Sequence, residues 1–182
     1  MSIASFDVSV FSFINHLPHP AILNDLARFF SGIGSWGAIW LIIAVILFFR
    51  EEKRDHWFFL PSVLAISLSL LLSEIVLKWV VARPRPTVDI GAIILTSPGN
   101  YSFPSTHATI AWAMAFVLWR EDKKLRPWLI ILATLISLSR VYLGAHYPSD
   151  VVGGALLGIV IGWLVMRIEK LVRPQTERKR RT

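Results

Sequence analysis

The stretch that decides the fold is "DVVGGALLGIVIGWLVMRIEK", residues 150–170, in which charged residues stand only at the two ends. A helix needs about 20 predominantly apolar residues to cross the hydrocarbon core of a bilayer. We therefore predict that residues 150–170 span a membrane. Gly154, Gly158 and Gly162 recur at four-residue spacing, which is typical of a helix face that packs closely against a neighbour. Packing inside one bundle is the favoured interpretation, with dimerisation as the alternative.

Four other apolar stretches predict further spans, at residues 31–49, 57–81, 104–119 and 127–143. Residues 5–29 mix apolar and charged side chains, which predicts an amphipathic, interfacial segment. The expected fold class is all-α: a polytopic membrane helical bundle with about five transmembrane helices plus an N-terminal interfacial helix. We expect a single domain over 1–182, divided into an interfacial segment at 1–30, a transmembrane core at 31–170 and a basic cytoplasmic tail at 171–182.

The composition supports a membrane protein. Hydrophobic residues make up 54% of the chain and charged residues only 17%, whereas soluble domains carry about 25% charged residues. The chain has no cysteine, which excludes disulfides, zinc-thiolate sites and cysteine nucleophiles. The N-terminus lacks the basic region and cleavage site of a signal peptide, so we expect insertion through the first span.

The distribution of basic residues predicts the orientation. If the C-terminus is cytoplasmic, fourteen of the nineteen Lys and Arg residues fall on the cytoplasmic side, as the positive-inside rule requires. The net charge of +7 is then mainly a topology signal, and no nucleic-acid partner is predicted. The expected location is the plasma (inner) membrane. The fourteen residues are Arg50, Lys53, Arg54, Arg120, Lys123, Lys124, Arg126, Arg167, Lys170, Arg173, Arg178, Lys179, Arg180 and Arg181.

Three polar segments interrupt the apolar pattern: "KWVVARPRP" at 78–86, "PSTH" at 104–107 and "SRVYLGAHYPSD" at 139–150. In the predicted topology all three lie at the non-cytoplasmic face. Ionisable groups at membrane depth are costly, so their convergence at one face predicts a functional site.

The residue types in these segments favour a multiply charged anion. Lys78, Arg85 and Arg140 are three cations set against one nearby carboxylate, Asp150. A guanidinium matches the oxygens of a phosphate, and a lysine adds a point charge. The first residues of the predicted helix at 104–119 add backbone N–H groups, which favour an anion at a helix N-terminus. A phosphate-binding site is therefore predicted.

Two histidines in the same segments fit phosphoryl transfer, which needs a nucleophile and a proton donor. Asp150 lies four residues after His146. Its carboxylate can hold one imidazole nitrogen and leave the other free to attack phosphorus, which is the orienting arrangement of a triad. Fixed cations can stabilise the loose, anionic transition state.

The same residues carry a family resemblance. Lys78, Arg85 and Pro86 match Lys-x6-Arg-Pro, "PSTH" resembles Pro-Ser-Gly-His, and "SRVYLGAHYPSD" matches Ser-Arg-x5-His-x3-Asp. In this order they resemble the three signature motifs of the type-2 phosphatidic acid phosphatase superfamily. Thr106 stands where that family usually has Gly, so the phosphate pocket is expected to be tighter or to gain a donor.

The resemblance implies a role for each matching residue. His146 would be the nucleophile that forms a phosphohistidine, Asp150 would orient it, and His107 would be the general acid. No metal or other cofactor is expected. The phosphate would be held by Lys78, Arg85, Ser105, Thr106 and Arg140. Arg83 is interpreted as a headgroup or topology residue, and Glu74 as a simple partner of Lys78.

The resemblance implies a membrane lipid phosphatase that acts at the outer face, and small bacterial members point to undecaprenyl diphosphate. Phosphatidic acid and phosphatidylglycerol phosphate are alternative substrates, and phosphotransfer to another acceptor is an alternative reaction. The related vanadium haloperoxidases are soluble, so the apolar spans argue against that activity. An inactive scaffold is disfavoured by the intact His107, His146 and Asp150. A transporter would be expected to hold its polar groups near the midplane.

Overall fold

The computed structural model describes residues 3–50, 56–96 and 99–173, and the regular structure in those ranges is helical. The part of the predicted tail from position 174 onward therefore lies outside the described residues. Lys53 and Arg54 lie outside them as well. The α-helices are α1 (Ile3–Asn15), α2 (Ala21–Ile33), α3 (Ala38–Arg50), α4 (Phe59–Leu70), α5 (Lys78–Val81), α6 (Thr106–Glu121), α7 (Arg126–Tyr142) and α8 (Pro148–Val172).

Three helical segments in the described residues are long and apolar enough to cross a membrane: Phe59–Val81, Lys123–Tyr142 and Pro148–Val172. They correspond to the spans predicted at 57–81, 127–143 and 150–170. The first of them joins α4 to α5 through a π-helical segment, Leu71–Leu77. An integral membrane protein is thus supported by both sequence and structure.

The expectation of five spans is not confirmed. The predicted span at 31–49 is broken, because Trp36 and Gly37 have left-handed φ values of 55° and 78°. Helices α2 and α3 meet there with a bend of 54° and make one further candidate span only if they are taken together. The span predicted at 104–119 is the 16-residue helix α6, which is shorter than the about 20 residues that cross a bilayer. The described residues therefore hold three or four candidate spans.

The N-terminal segment differs from the single interfacial helix that was predicted. It forms two helices, α1 and α2, because Pro18 and Pro20 interrupt the chain between them. Asp7, Phe11 and Asn15 are buried and lie at four-residue spacing on one face of α1. That face packs against α7 and α8, so α1 is part of the bundle at its polar end.

The core is built around α6, which packs chiefly against α8 and also against α7 and α4. The glycine face of α8 makes this contact: a Cβ at Gly158 would lie 2.3 Å from the carbonyl oxygen of Thr109, and a Cβ at Gly154 would lie 2.6 Å from that of Ser105. The predicted role of the glycines in packing within one chain is therefore confirmed. This close contact fixes the first turn of α6 beside the first turn of α8.

Candidate active site

Lys78 reaches the site because the helix widens before it. The π-helical segment Leu71–Leu77 shifts the register of the last turns, and such segments are frequent at functional sites. Lys78 is buried, and its ammonium donates to Glu74 Oε1 over 2.5 Å. Ala82 then adopts a left-handed conformation with φ 48° and ends α5, so the chain leaves the helix directly after the lysine.

Arg85 lies on the irregular segment that follows α5. Its Nε donates to the carbonyl oxygen of Gly99 over 2.9 Å, and its Nη1 donates to that of Ala145 over 2.7 Å. The same Nη1 is 3.2 Å from Nε2 of His146. These three contacts hold the guanidinium beside Nε2 of the imidazole.

The sequence "PSTH" forms the start of α6, with Ser105 as the N-cap residue. Ser105 is fully buried, and its backbone N–H donates to the carbonyl oxygen of Asp150 over 3.0 Å. The hydroxyl of Thr106 donates to Glu74 Oε1 over 2.6 Å. His107 Nε2 is 3.2 Å from the hydroxyl of Ser35, at the break between α2 and α3. The turn that opens α6 thus contacts three other segments of the chain.

Arg140 and His146 stand on either side of a tight turn. Arg140 closes α7, is buried, and donates from Nη1 to the hydroxyl of Ser31. Gly144 has φ 77°, and a Cβ there would lie 2.4 Å from the carbonyl oxygen of Ile93. Only glycine fits this position without strain. The turn brings His146 back towards the end of α7.

Asp150 is completely buried at the start of α8. Its Oδ2 accepts from the backbone N–H of Tyr147 over 2.9 Å and lies 3.6 Å from Nδ1 of His146. Its Oδ1 accepts from Arg83 Nη1 over 2.7 Å. The carboxylate is therefore held by a backbone amide and a cation, and it faces the imidazole from the side opposite Arg85.

Arg83 joins this carboxylate to the N-terminal helix. Its Nη2 donates to Asp7 Oδ2 over 2.6 Å, and its Nη1 also donates to the hydroxyl of Ser149 over 2.6 Å. Asp7 Oδ1 accepts from the backbone N–H of Ser149 over 2.9 Å. The guanidinium lies over the ring of Tyr147, 4.1 Å from its centroid. We call Asp7, Arg83, Ser149 and Asp150 the anchoring network.

A cavity of about 230 Å³ collects most of the predicted residues. Its walls include three cations and the carboxylate of Glu74. Six of the eight predicted site residues line it, whereas Ser105 and Asp150 lie behind its wall. Arg83 lies in the anchoring network, not on the cavity. The six are Lys78, Arg85, Thr106, His107, Arg140 and His146.

The electrostatics of the loop before α8 favour a neutral imidazole. Burial lowers the pKa of His146 to about 4, and the cations Arg85 and Arg140 act in the same direction. Asp150 opposes this effect without cancelling it. At neutral pH the imidazole therefore carries a lone pair. With Nδ1 directed towards Asp150, that lone pair is on Nε2, which is the nitrogen beside Arg85.

The anchoring network is charged at neutral pH. Burial raises the pKa of Asp7, but hydrogen bonds from Ser149 and Arg83 outweigh it and hold the pKa below the ordinary value. Burial lowers the pKa of Arg83, but Asp7 and Asp150 outweigh it and raise the pKa above its ordinary value. The network is thus a compact arrangement of one cation between two carboxylates.

The polar groups of the cavity suit an anion better than a metal ion. Its cationic side chains are donors that cannot ligate a metal, and no group of three His, Asp or Glu residues in the described chain is arranged to hold one. What the arrangement can do is neutralise several negative charges beside a neutral, oriented imidazole.

Sequence reasoning missed part of this site. It assigned Glu74 only a partner's role, and it gave Arg83 a headgroup or topology role. Asp7 and Ser149 were not singled out. The four-residue spacing of Glu74 and Lys78 was a visible indication of their pairing. Nothing in the sequence connects Asp7 to Arg83, 76 positions away.

The chain is similar to known phosphatases. The profile of the PAP2 superfamily matches residues 58–173. The undecaprenyl-diphosphatase of Sulfolobus acidocaldarius is 37% identical over 171 residues, which cover 90% of this chain and 79% of that protein. The decaprenylphosphoryl-5-phosphoribose phosphatase of Mycobacterium tuberculosis is 32% identical over 140 residues, which cover 76% of each chain.

A solved structure is similar over almost its whole length. The crystal structure of Aquifex aeolicus LpxE superposes with a TM-score of 0.78 and 32% sequence identity, covering 92% of this chain and 99% of the other. Phosphatases of this superfamily are hydrolases and need no metal. The profile match, the relatives and the shared fold together show that this chain is a membrane lipid phosphatase that belongs to the PAP2 superfamily.

Proposed function

We propose that the protein removes the terminal phosphate of a polyprenyl diphosphate, undecaprenyl diphosphate in particular, through a phosphohistidine. The observation that carries the proposal is the cavity that Lys78, Arg85 and Arg140 line together with His146, whose Nε2 is 3.2 Å from Nη1 of Arg85. A terminal phosphate held by these cations would have its phosphorus in front of the imidazole lone pair. Such positioning with charge stabilisation is most of what phosphoryl transfer requires.

In the first step His146 Nε2 attacks the terminal phosphorus, the P–N bond forms, and the phosphoanhydride P–O bond breaks. The polyprenyl monophosphate departs, and His107 gives its proton to the former bridging oxygen. In the second step His107 accepts a proton from water, the water oxygen attacks phosphorus, and the P–N bond breaks to release inorganic phosphate. Asp150 stabilises the imidazole through Nδ1, from its position 3.6 Å away.

The three cations bind the phosphate oxygens throughout both steps. Backbone N–H groups at the start of α6, at Thr106 and His107, add donors at a helix N-terminus. Ser105 contributes its hydroxyl, which is buried without a hydrogen-bond partner among the described residues. An unpaired buried hydroxyl is costly, and a phosphate oxygen would supply its missing partner if this turn shifted to bring Ser105 from behind the wall into the cavity.

The lipid tail has a place beside the phosphate. An apolar groove of about 230 Å³ shares Glu74, Thr106 and His107 with the phosphate cavity. Its own walls come from the break between α2 and α3 and from two core helices, through Gly34, Ser35, Trp36, Leu70 and Ile110. A leaving group that is protonated by His107 would lie in this groove, with its tail in the bilayer.

The relatives guide the choice of lipid. Two of the similar proteins are named for polyprenyl substrates, an undecaprenyl diphosphate and a decaprenylphosphoryl-5-phosphoribose. A lipid with a phosphate head and a long isoprenoid tail fits the cavity and the groove together. The distribution of basic residues supports a cytoplasmic C-terminus, so the reaction would take place at the outer face of the plasma membrane.

The test is phosphate release by the detergent-purified protein in excess EDTA. Undecaprenyl diphosphate, phosphatidylglycerol phosphate and phosphatidic acid are supplied in parallel, with His146→Ala as the control. We expect release that survives EDTA, is fastest with undecaprenyl diphosphate and is absent in the variant. An acid-labile, base-stable phosphoenzyme in rapid-quench samples would identify the phosphohistidine. Fastest release from a glycerophospholipid would overturn the substrate assignment, and full activity in His146→Ala would overturn the mechanism.

A further inference from the structure

Glu74 is the carboxylate that faces the phosphate cavity. It lines the cavity together with Lys78, Arg85 and Arg140. Asp150, the other carboxylate of the site, is fully buried between Arg83 and His146 and does not line the cavity. The anion-binding cavity thus contains three positive charges and one negative charge.

The carboxylate of Glu74 already occupies a position that a phosphate would use. Its Oε1 accepts from Lys78 over 2.5 Å and from the Thr106 hydroxyl over 2.6 Å. The Lys78 side chain is only 9% exposed, so this ion pair is largely shielded on the cation side, while the Glu74 side chain is 44% exposed. A phosphate that binds Lys78 must therefore share the ammonium with Glu74 or displace it.

Thr106 fixes this competitor in place. It stands at the position where Gly is usual in the matching motif, and its added hydroxyl is directed to Glu74 and not to the cavity centre. Thr106 also lines the cavity. The Thr and the Glu therefore form one unit, in which the hydroxyl orients the carboxylate against Lys78.

We propose that the Glu74–Thr106 pair is a product-release device. It lowers the affinity of the cavity for inorganic phosphate by competing for Lys78. A phosphate that is attached to a lipid gains additional binding from its tail, whereas free phosphate has only the cations. The pair therefore weakens retention of the released phosphate, while the tail still holds the lipid substrate. This inference rests on the proposed function, since it concerns the same cavity.

The physical basis is the interaction of like charges at short range. Two like charges about 4 Å apart still repel each other strongly at an effective dielectric constant of about 20. Exposure of Glu74 reduces that repulsion, and movement of its side chain reduces it further. A reduced effect still corresponds to about a tenfold change in affinity, because each 1.4 kcal/mol changes an equilibrium constant by about a factor of ten.

Glu74→Gln tests the proposal because glutamine keeps the shape and an oxygen acceptor for Lys78 and Thr106 while it loses the charge. The dissociation constant of inorganic phosphate is measured by isothermal titration on the detergent-purified, full-length protein, alongside product inhibition of lipid hydrolysis. We expect the dissociation constant of phosphate and its inhibition constant each to fall by about tenfold in Glu74→Gln. Asp25→Asn, which makes the same kind of change in an exposed ion pair with Arg28, should leave both unchanged.

A second variant tests the role of the hydroxyl. Thr106→Val keeps the volume but cannot donate to Glu74, so phosphate should bind about threefold more tightly than in the wild type. Combining Thr106→Val with Glu74→Gln should add nothing to the effect of Glu74→Gln alone, since the hydroxyl acts through the carboxylate. Additive effects would overturn the proposed coupling.

The outcomes separate this inference from the proposed function. Unchanged or weaker phosphate binding in a folded Glu74→Gln protein would overturn the inference and show that Glu74 serves to position Lys78. In that case the lipid-hydrolysis assays still test the proposed function independently. Conversely, tighter phosphate binding in Glu74→Gln supports the competition even where the preferred lipid is not a polyprenyl diphosphate. Absence of phosphate binding and of product inhibition in both the wild type and Glu74→Gln would overturn the inference, whereas absence of lipid hydrolysis would overturn the proposed function.

Discussion

The guanidinium of Arg83 donates to Asp150 Oδ1 over 2.7 Å, on the side of the carboxylate that faces away from His146. Since Asp150 is completely buried, the loss of this cation would leave its charge with only the Tyr147 amide as a partner. We expect Arg83→Met to lower kcat by about 10- to 100-fold, because the carboxylate would no longer be fixed behind the nucleophile. The Michaelis constant should change little, because Arg83 does not line the cavity.

Steady-state kinetics on folded protein check this expectation, and Arg28→Met is the matched control. Arg28 pairs with Asp25 over 3.6 Å on an exposed part of α2, where an ion pair contributes little. Arg83→Lys should have a higher kcat than Arg83→Met, since lysine keeps the positive charge but not the planar guanidinium that binds two groups at once. A higher Michaelis constant with normal kcat would instead make Arg83 a substrate-binding residue.

Asp7 should support the reaction from the N-terminal helix. It accepts from Arg83 and from both the backbone and the hydroxyl of Ser149. Asp7→Asn keeps one oxygen acceptor but loses the charge, so we expect about a fivefold lower kcat, which corresponds to about one hydrogen bond. The double variant Asp7→Asn with Arg83→Met should be no worse than Arg83→Met alone. A multiplicative loss would mean that Asp7 acts independently of Arg83.

Substitution of the nucleophile and of its orienting partner should have unequal effects. His146→Ala should abolish turnover, because it removes the nitrogen that attacks phosphorus. Asp150→Asn should leave a measurable remainder, lower by about 10²- to 10⁴-fold, since loss of an orienting carboxylate weakens the attack but does not remove the attacking atom. No phosphoenzyme should accumulate in rapid-quench samples of His146→Ala, whether or not EDTA is present.

The ionisation of His146 gives a prediction that does not depend on turnover. Because burial lowers its pKa to about 4, the imidazole should stay neutral from pH 8 down to about pH 5 and gain its proton only on further acidification. Nitrogen NMR of protein labelled at histidine, with the resonance assigned by its loss in His146→Ala, measures this directly. A midpoint near the ordinary histidine pKa of about 6.5 would contradict the burial of the ring.

The contact between α6 and α8 should be sensitive to a single methyl group. A Cβ at Gly158 would lie 2.3 Å from the Thr109 carbonyl oxygen, which belongs to backbone and cannot turn aside. We expect Gly158→Ala to destabilise the folded protein by about 1–3 kcal/mol, as overpacking does. Gly32→Ala is the control, because nothing lies within 4 Å of a Cβ there. Thermal unfolding in detergent should show a clear loss of stability for Gly158→Ala and none for Gly32→Ala.

Much of the cavity could be predicted from the sequence because its residues are set by local structure. Lys78 and Arg85 are separated by the end of a helix, and Arg140 and His146 by one glycine turn. A recognisable spacing survives wherever a few consecutive residues determine the geometry. The glycine face of α8 was predictable for the same reason, since four-residue spacing keeps side chains on one side of a helix.

The remainder depends on contacts between distant segments. The ion pair of Asp7 and Arg83 exists only because α1 docks against α7 and α8, and the four-residue spacing on α1 does not show which helices it docks against. The break before α3 was also missed, because Trp36 takes a left-handed φ of 55° that few residues other than glycine adopt. Glu74 was visible as a partner of Lys78, but its contact with Thr106 required the widened helix at Leu71–Leu77.

The shortness of α6 has a consequence for where the chemistry happens. Its 16 residues make a rod of about 24 Å, whereas the hydrocarbon layer is about 30 Å thick. The neighbouring candidate spans have 23, 20 and 25 residues and are long enough to cross. When the C-terminal end of α6 lies at one boundary of the hydrocarbon layer, its first turn lies several ångströms inside the opposite boundary. The cavity is then a recess within one leaflet, which a lipid headgroup would enter from the side and water from the nearby aqueous phase.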